Sequence, residues 1–214
     1  MRRTLLVYLF LGMQAAVFAG GTVQGTLVLE AMKPPPARAG YVAPATKKPV
    51  EKPDMAPAIV YLERDDEQYP PLRTGEVVNI RQEGYQFRPS MAAVQAGGRV
   101  NFPNMDDEFH NVVSYTRPNA FDLGRFRKEE GPRGELFKHP GVVKIYCDIH
   151  AHMRCFLLVL KTPWFVTTDA AGKFTLKNIP PGEYWLRAFQ PSEKLLQQRI
   201  TVTEGKTTTV HLTR

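Results

Sequence analysis

The sequence is short of several features that would point to other classes of protein. It contains two cysteines, Cys147 and Cys155, among 214 residues. Two cysteines would permit one disulfide, the usual pairing in exported proteins, but that bond would consume Cys147. No segment shows a helical period over ten residues, so we expect strands rather than helices. The basic residues are scattered without a nucleic-acid-binding motif, so we expect no nucleic-acid partner.

Long apolar runs are also scarce, and the one present lies at the beginning of the chain. Two arginines precede an apolar run over residues 5–17, and Val17 and Ala19 are small residues at the positions that a signal peptidase recognises. We therefore interpret residues 1–19 as a signal peptide, which predicts a periplasmic or secreted protein. A membrane anchor is the alternative, but the run is too short to cross a bilayer, so we expect no membrane span after the leader is removed.

Acidic residues are fewer than basic ones, and the formal net charge is +7. A basic surface attracts acidic partners and accelerates encounter with them. We therefore expect that any protein partner presents an acidic surface. The oligomeric state is not indicated by composition.

The positive signal in the sequence is a rhythm of short strands separated by Gly, Pro and Asn turns. An early strand is predicted over 22–29 and another over 58–62, with a loop rich in Pro, Ala and Lys over 33–57 between them. A solvated loop is predicted over 125–135. The further expected strands are 77–81, 99–102, 111–114, 142–147, 156–160, 165–168, 173–176, 184–188, 200–202 and 210–212. This rhythm is typical of an all-β protein built from β-sandwiches.

One short segment carries three candidate metal ligands. Cys147 ends an apolar strand, and His150 and Met153 follow it closely, whereas His110 lies far upstream. Two histidines and one thiolate with a weak axial methionine form the blue-copper arrangement. In this interpretation a strand presents the thiolate and a tight loop returns the imidazole and the thioether to the same ion. We predict one copper that cycles between Cu(I) and Cu(II).

The same residue types admit other interpretations. A Cys-x-x-His pair could be half of a zinc site, but zinc would need two further ligands and its structural sites seldom use methionine. Cys155 is interpreted as a small buried residue and not a ligand. His152 is interpreted as a solvated side chain, and His139 and His211 as surface residues.

The segments around these ligands resemble the plastocyanin-like cupredoxins, and the ligand loop resembles that of amicyanin. The matching segments are 102–106, 109–113, 121–124, 139–143 and the Cys-x-x-His-x-x-Met run of 147–153. The resemblance implies a cupredoxin Greek-key β-sandwich over 75–160. It also implies that His110, Cys147 and His150 are the equatorial copper ligands and Met153 the axial one.

The resemblance further implies a role for the neighbours of the ligands. Asn111 is expected to help tie the two ligand loops together, and the exposed edge of His150 is expected to be the port through which electrons pass. The implied function is one-electron transfer between protein redox partners, by a carrier rather than an enzyme.

A second module is indicated near the C-terminus. The run 168–186, with its Asp-x-x-Gly and Pro-Pro-Gly turns, resembles the carboxypeptidase-regulatory-like, transthyretin-like β-sandwich. We predict that residues 20–64 supply the first strands of that small sandwich and 161–214 the remainder, with the cupredoxin inserted between them. The competing layout assigns the early strands to the cupredoxin, and the pairing of strand 22–29 distinguishes the two.

Three rival functions stay open at the level of sequence. The same ligands could capture or deliver copper. A copper oxidase would need several His-x-His pairs, and this chain has a single one at residues 150–152. A structural or carbohydrate-binding role could dominate through the second sandwich.

Overall fold

The computed structural model describes residues 19–29, 58–72, 75–191 and 195–213. The predicted signal peptide, except its last residue, and the Pro-rich loop 33–57 lie outside the described residues. The described residues form seventeen β-strands and one 3₁₀ turn, Lys128–Glu130. The all-β prediction is therefore confirmed. Nowhere in the described parts of the chain is there a helix with the length and apolar character of a membrane span.

The strands are numbered in chain order. They are β1 Gly21–Leu27, β2 Ile59–Glu63, β3 Val77–Asn79, β4 Arg81–Gln82, β5 Phe87–Arg88, β6 Met91–Gln95, β7 Gly98–Phe102, β8 His110–Ser114, β9 Phe121–Phe126, β10 Arg133–Phe137, β11 Gly141–Tyr146, β12 Arg154–Leu160, β13 Phe165–Thr167, β14 Lys173–Ile179, β15 Gly182–Phe189, β16 Leu196–Val202 and β17 Thr207–Leu212.

The first sandwich is formed by strands from the middle of the chain. A sheet of order β6-β12-β11-β8-β9 faces a sheet of order β10-β7-β3, and the short pair β4-β5 lies beside them. Alternation along β11 directs Val143 and Ile145 into one apolar core with Cys147, while Val142 and Lys144 point outward. Strands β8 and β11 are antiparallel neighbours with Val113 opposite Tyr146, so the start of β8 lies just beyond the end of β11.

The second sandwich combines strands from both ends of the chain. Strand β1 pairs with β14 and, in parallel, with β17, whereas β2 pairs with β13 and β15. Among the described strands, neither β1 nor β2 pairs with a strand of the first sandwich. We therefore propose the discontinuous layout, in which the first sandwich is inserted into the second.

The two sandwiches are joined by an apolar cluster that we call the junction core. It is lined by Ile59 and Tyr61 of β2, Met91 and Ala93 of β6, and Leu158 and Leu160 of β12, all buried. Three partly buried phenylalanines pack against it: Phe156, Phe165 and Phe189. The junction core thus covers the outward-facing residues of β6 and β12 in the first sandwich and of β2 in the second.

The strand prediction missed several strands, including β10 and β6. The segment 125–135 was expected to be a solvated loop, but β10 begins within it and pairs with β7. Phe137 at the end of β10 is buried, although Leu136 beside it is largely exposed. Strand β6 was not predicted at all, because its small apolar residues are buried on both faces and show no alternation.

Candidate metal centre

The four predicted ligands are positioned by two neighbouring strands and one loop. His110 is the first residue of β8, and Cys147 directly follows β11. His150 and Met153 lie in the loop between β11 and β12. Two backbone hydrogen bonds tighten this loop: Met153 N–H donates to the His150 carbonyl at 2.9 Å, and Cys147 N–H donates to the Met153 carbonyl at 3.4 Å.

The donor atoms of His110, Cys147 and His150 converge on one buried point. The two Nδ1 atoms are 3.1 Å apart, and Cys147 Sγ lies 3.8 Å from His150 Nδ1. Ligand atoms of all three residues lie within 4.8 Å of one another. Metal–nitrogen bonds of about 2.0 Å and metal–sulfur bonds of about 2.3 Å separate the donors of a trigonal ion by roughly 3 to 4 Å. The observed spacings therefore fit one ion between the three side chains.

Met153 completes the set that the sequence predicted. Its side chain is fully buried and belongs to the same apolar cluster as Cys147. The loop that carries His150 turns Met153 back to the end of β11, since the Met153 carbonyl accepts from Cys147 N–H. Axial coordination by its sulfur stays a prediction.

The electrostatic surroundings favour a thiolate at Cys147. Burial alone raises the pKa of this thiol, but the imidazoles of His110 and His150 and the Asn111 N–H outweigh burial and lower the pKa to about 6. The Asn111 N–H points at Cys147 Sγ from 3.5 Å. A deprotonated sulfur is the form that binds soft metal ions, so the donor set is prepared for such an ion.

A prediction follows for the metal-free protein. Alkylation of Cys147 by iodoacetamide should increase as pH rises through about 6, because the thiolate is the reactive form. The lowered pKa also means that the folded protein gains stability relative to the unfolded chain as pH rises from about 6 towards the ordinary thiol value. Mass spectrometry of the labelled peptides at a series of pH values measures the midpoint.

Cys155 is the internal control for this experiment. Both cysteines are buried and neither is in a disulfide, but at Cys155 on β12 burial acts alone and raises the pKa of the thiol. We expect Cys155 to stay unlabelled in the folded protein over the same pH range. A labelling midpoint at the ordinary pKa of a free thiol for Cys147 would contradict the prediction.

Asp106 is a functional neighbour that the sequence reasoning missed. His110 Nε2–H donates to Asp106 Oδ2 at 2.9 Å, which leaves Nδ1 with its lone pair directed at the donor cluster. Burial lowers the pKa of His110, but Asp106 and the Cys147 sulfur outweigh it and the net shift is upward. The spacing of Asp106 four residues before His110 was the signal available in the sequence.

Asn111 contacts both Cys147 and β9, and its expected role in tying the two ligand loops together stays a prediction. Its side-chain amide donates to Asp122 Oδ1 of β9 at 2.8 Å, and only its backbone N–H reaches Cys147. Asn111 Oδ1 is buried and has no hydrogen-bond partner. A link between β9 and the ligand loop comes from the ion pair of Arg125 with Asp148 at 3.1 Å.

The histidines of the loop are more buried than the sequence analysis expected. His150 is only 6% exposed, so little of its edge reaches solvent, and its role as the electron port stays a prediction. His152 is not a solvated side chain: it is half-buried, and its Nε2–H donates to the Tyr85 carbonyl at 3.0 Å. Burial and the nearby His150 lower the pKa of His152. His139 and His211 are exposed, as predicted.

Comparison with solved structures returns copper proteins at low overall similarity. A Cu-containing nitrite reductase from Thermus scotoductus SA-01 is 23% identical, with a TM-score of 0.36, and the match covers 42% of this chain but only 25% of the reductase. A reduced Cu(I) amicyanin variant is 18% identical, with a TM-score of 0.37, over 46% of this chain and 98% of the amicyanin. A purple cupredoxin from Nitrosopumilus maritimus is 20% identical, with a TM-score of 0.35, over 38% of this chain and 98% of that protein.

Sequence comparison identifies the C-terminal module. No curated protein matches the chain. A family model described as the carboxypeptidase regulatory-like domain matches residues 158–213. The predicted resemblance of the second module is thereby confirmed: the match begins in the last three residues of β12, 158–160, and runs through β13 to β17 of the second sandwich.

Proposed function

We propose that this chain is a type 1 (blue) copper protein that carries single electrons between protein partners. The observation that supports this proposal best is the convergence of the donor atoms of His110, Cys147 and His150 at one buried point. A thiolate and two imidazoles with a nearby thioether suit copper better than magnesium, calcium or a structural zinc. Copper bound there would supply a one-electron couple between Cu(I) and Cu(II).

The chain's own residues would keep the donors in place whatever the charge of the ion. Cys147 is anchored at the end of β11, and His110 is held at the start of β8 by Asp106. His150 and Met153 share a loop closed by backbone hydrogen bonds. Donors on a rigid sheet and a tight loop need little rearrangement when the charge changes, which favours rapid electron transfer.

The shell around the donors would control the properties of the centre. The N–H of Asn111 faces the sulfur of Cys147, and a hydrogen bond to a ligating sulfur stabilises its negative charge. The surrounding apolar cluster, which includes Val112 and Ile145, keeps water from the sulfur. With copper bound, both features would influence its reduction potential, although neither Asn111 nor the apolar cluster would be a metal ligand.

An electron carrier fits the described residues better than an oxidase. Within residues 19–29, 58–72, 75–191 and 195–213, the only group of three His, Cys or acidic side chains with metal-binding spacing is the one described. A multicopper cluster would need further histidines. We propose a periplasmic or secreted location and partners with an acidic docking surface, which the positive net charge favours: +7 for the full sequence and about +5 without the leader arginines Arg2 and Arg3.

Copper titration tests the proposal. Metal-free protein titrated with Cu(II) should bind one equivalent and develop intense visible absorption from a thiolate–copper bond. Ascorbate should bleach the absorption and ferricyanide should restore it. Zn(II) is the matched control, since it has no redox chemistry and should produce no colour. Absence of a visible band with Cu(II) would contradict the proposal.

The same sample separates a carrier from a copper-delivery protein. Stopped-flow mixing with a small redox protein measures electron exchange, and mixing with an excess of a copper chelator measures metal loss. A carrier should exchange electrons many times before it loses its copper. Faster metal loss than electron exchange would favour the delivery function.

A further inference from the structure

The ring of Tyr85 covers the two histidines of the candidate metal centre. The Tyr85 ring packs edge-on against both imidazole rings. The ring centroids are 5.1 Å apart for Tyr85 and His150, and 5.7 Å apart for Tyr85 and His110. Tyr85 is itself only 5% exposed. Sequence reasoning assigned no role to this residue, whose ring lies against both histidines and leaves His150 only 6% exposed.

The backbone of Tyr85 is held by hydrogen bonds with two residues, Asp106 and His152, each close in sequence to a candidate histidine ligand. Asp106, four residues before His110, accepts hydrogen bonds from Gly84 N–H at 2.9 Å and from Tyr85 N–H at 3.0 Å. From the other segment, His152 Nε2–H donates to the Tyr85 carbonyl at 3.0 Å. The backbone of Tyr85 is therefore hydrogen-bonded both to the segment that leads to His110 and to the loop that carries His150.

The turn that carries Tyr85 is well defined. Glu83 N–H donates to the Gln86 carbonyl at 2.9 Å and Gln86 N–H donates back to the Glu83 carbonyl at 3.3 Å. Tyr85 has a φ of 58°, in the left-handed region that non-glycine residues seldom occupy. Such a conformation in a bulky residue persists only when the surrounding contacts hold it.

We propose that Tyr85 is a cap, positioned by Asp106 and His152, that closes the metal centre to outside ligands and so limits it to electron exchange without substrate coordination. This inference rests on the proposed copper function. A copper enzyme that coordinates a small substrate needs an accessible position at the metal, as catalytic metal sites keep one. With Tyr85 in place, neither a small anion nor a chelator reaches the centre from the side of His150.

Three variants test the cap. Tyr85→Ala removes the ring, Tyr85→Phe keeps it, and Tyr115→Ala removes a tyrosine of the same sandwich that is 74% exposed. The copper-loaded proteins are mixed with excess chelator, and in separate samples with azide or imidazole while the visible spectrum is recorded. Tyr85→Ala should lose copper at least about tenfold faster than the parent protein, a difference of about 1.4 kcal/mol in the barrier. It should also show a spectral shift with azide, whereas Tyr85→Phe and Tyr115→Ala should behave as the parent.

A second readout needs no metal. In the copper-free protein, iodoacetamide should alkylate Cys147 at least about tenfold faster in Tyr85→Ala than in the parent, because the thiol becomes accessible. Unchanged copper loss, azide response and alkylation in a folded Tyr85→Ala protein would overturn the cap and leave the copper proposal intact. If the parent protein shows no copper band, the copper proposal is overturned. The rate of Cys147 alkylation in the metal-free Tyr85→Ala protein, compared with the parent, then still tests the cap. If circular dichroism shows that Tyr85→Ala does not fold, Tyr85→Leu carries the same measurements.

Discussion

Replacing Cys147 by serine should abolish the intense visible absorption of the copper-loaded protein. The band requires a bond between copper and a thiolate, and Cys147 is the only cysteine in the donor cluster. Copper binding should weaken at least about a hundredfold, since even residues that merely support metal ligands cost up to that factor when removed. Absorption spectroscopy and competition with a chelator of known affinity measure the two effects.

Cys155 provides the matched control for this substitution. It is also buried in the first sandwich, on β12, but it contributes no atom to the donor cluster. Cys155→Ala should therefore retain the visible band and the copper affinity, with a modest loss of stability from the deleted sulfur. A band that survives in Cys147→Ser, or that disappears in a folded Cys155→Ala protein, would exclude the assignment of Cys147 as the ligand.

Replacing Leu158 by aspartate should destabilise the protein by about 3 to 5 kcal/mol, because it places an unpaired charge in an apolar core. Leu158 is 3% exposed and belongs to the junction core with Ile59 and Tyr61 of the other sandwich.

The same junction should make the parent protein unfold in a single transition. In the variant, we expect the two sandwiches to unfold at different denaturant concentrations.

Denaturant unfolding followed by circular dichroism and by the visible copper band measures this coupling. Leu136→Asp is the matched control, since Leu136 lies on β10 of the same sandwich but is 43% exposed. It should change the free energy of unfolding by no more than about 0.5 kcal/mol. If the free energy of unfolding of Leu158→Asp lies within about 0.5 kcal/mol of the parent value, the junction core contributes little to stability.

The predictions that depended on local sequence agree best with the structure. The alternation of residues along β11 was enough to direct Val143 and Ile145 inward. The short spacing from Cys147 to Met153 restricts those side chains to one loop, and two backbone hydrogen bonds close it. His110 was matched to this loop by family resemblance, and the pairing of β8 with β11 brings it there.

The errors concern segments whose structure is set by distant partners. Strand β10 lies in a charged stretch that has the composition of a loop, yet its backbone pairs with β7 over five residue pairs. Strand β6 becomes a strand by pairing in parallel with β12. In both cases the stabilising hydrogen bonds and buried surface come from residues far along the chain, so a local window contains little of the signal.

By itself, the sequence determined that the chain is all-β, that its C-terminal part resembles a regulatory-like sandwich, and that four residues have the spacing of copper ligands. Only the tertiary structure decided that Tyr85 and Asp106 enclose the histidines, and that the junction core joins the two sandwiches. The physical reason is range. Strand alternation and loop closure act between near neighbours, whereas side chains distant in sequence meet only after the sheets have packed.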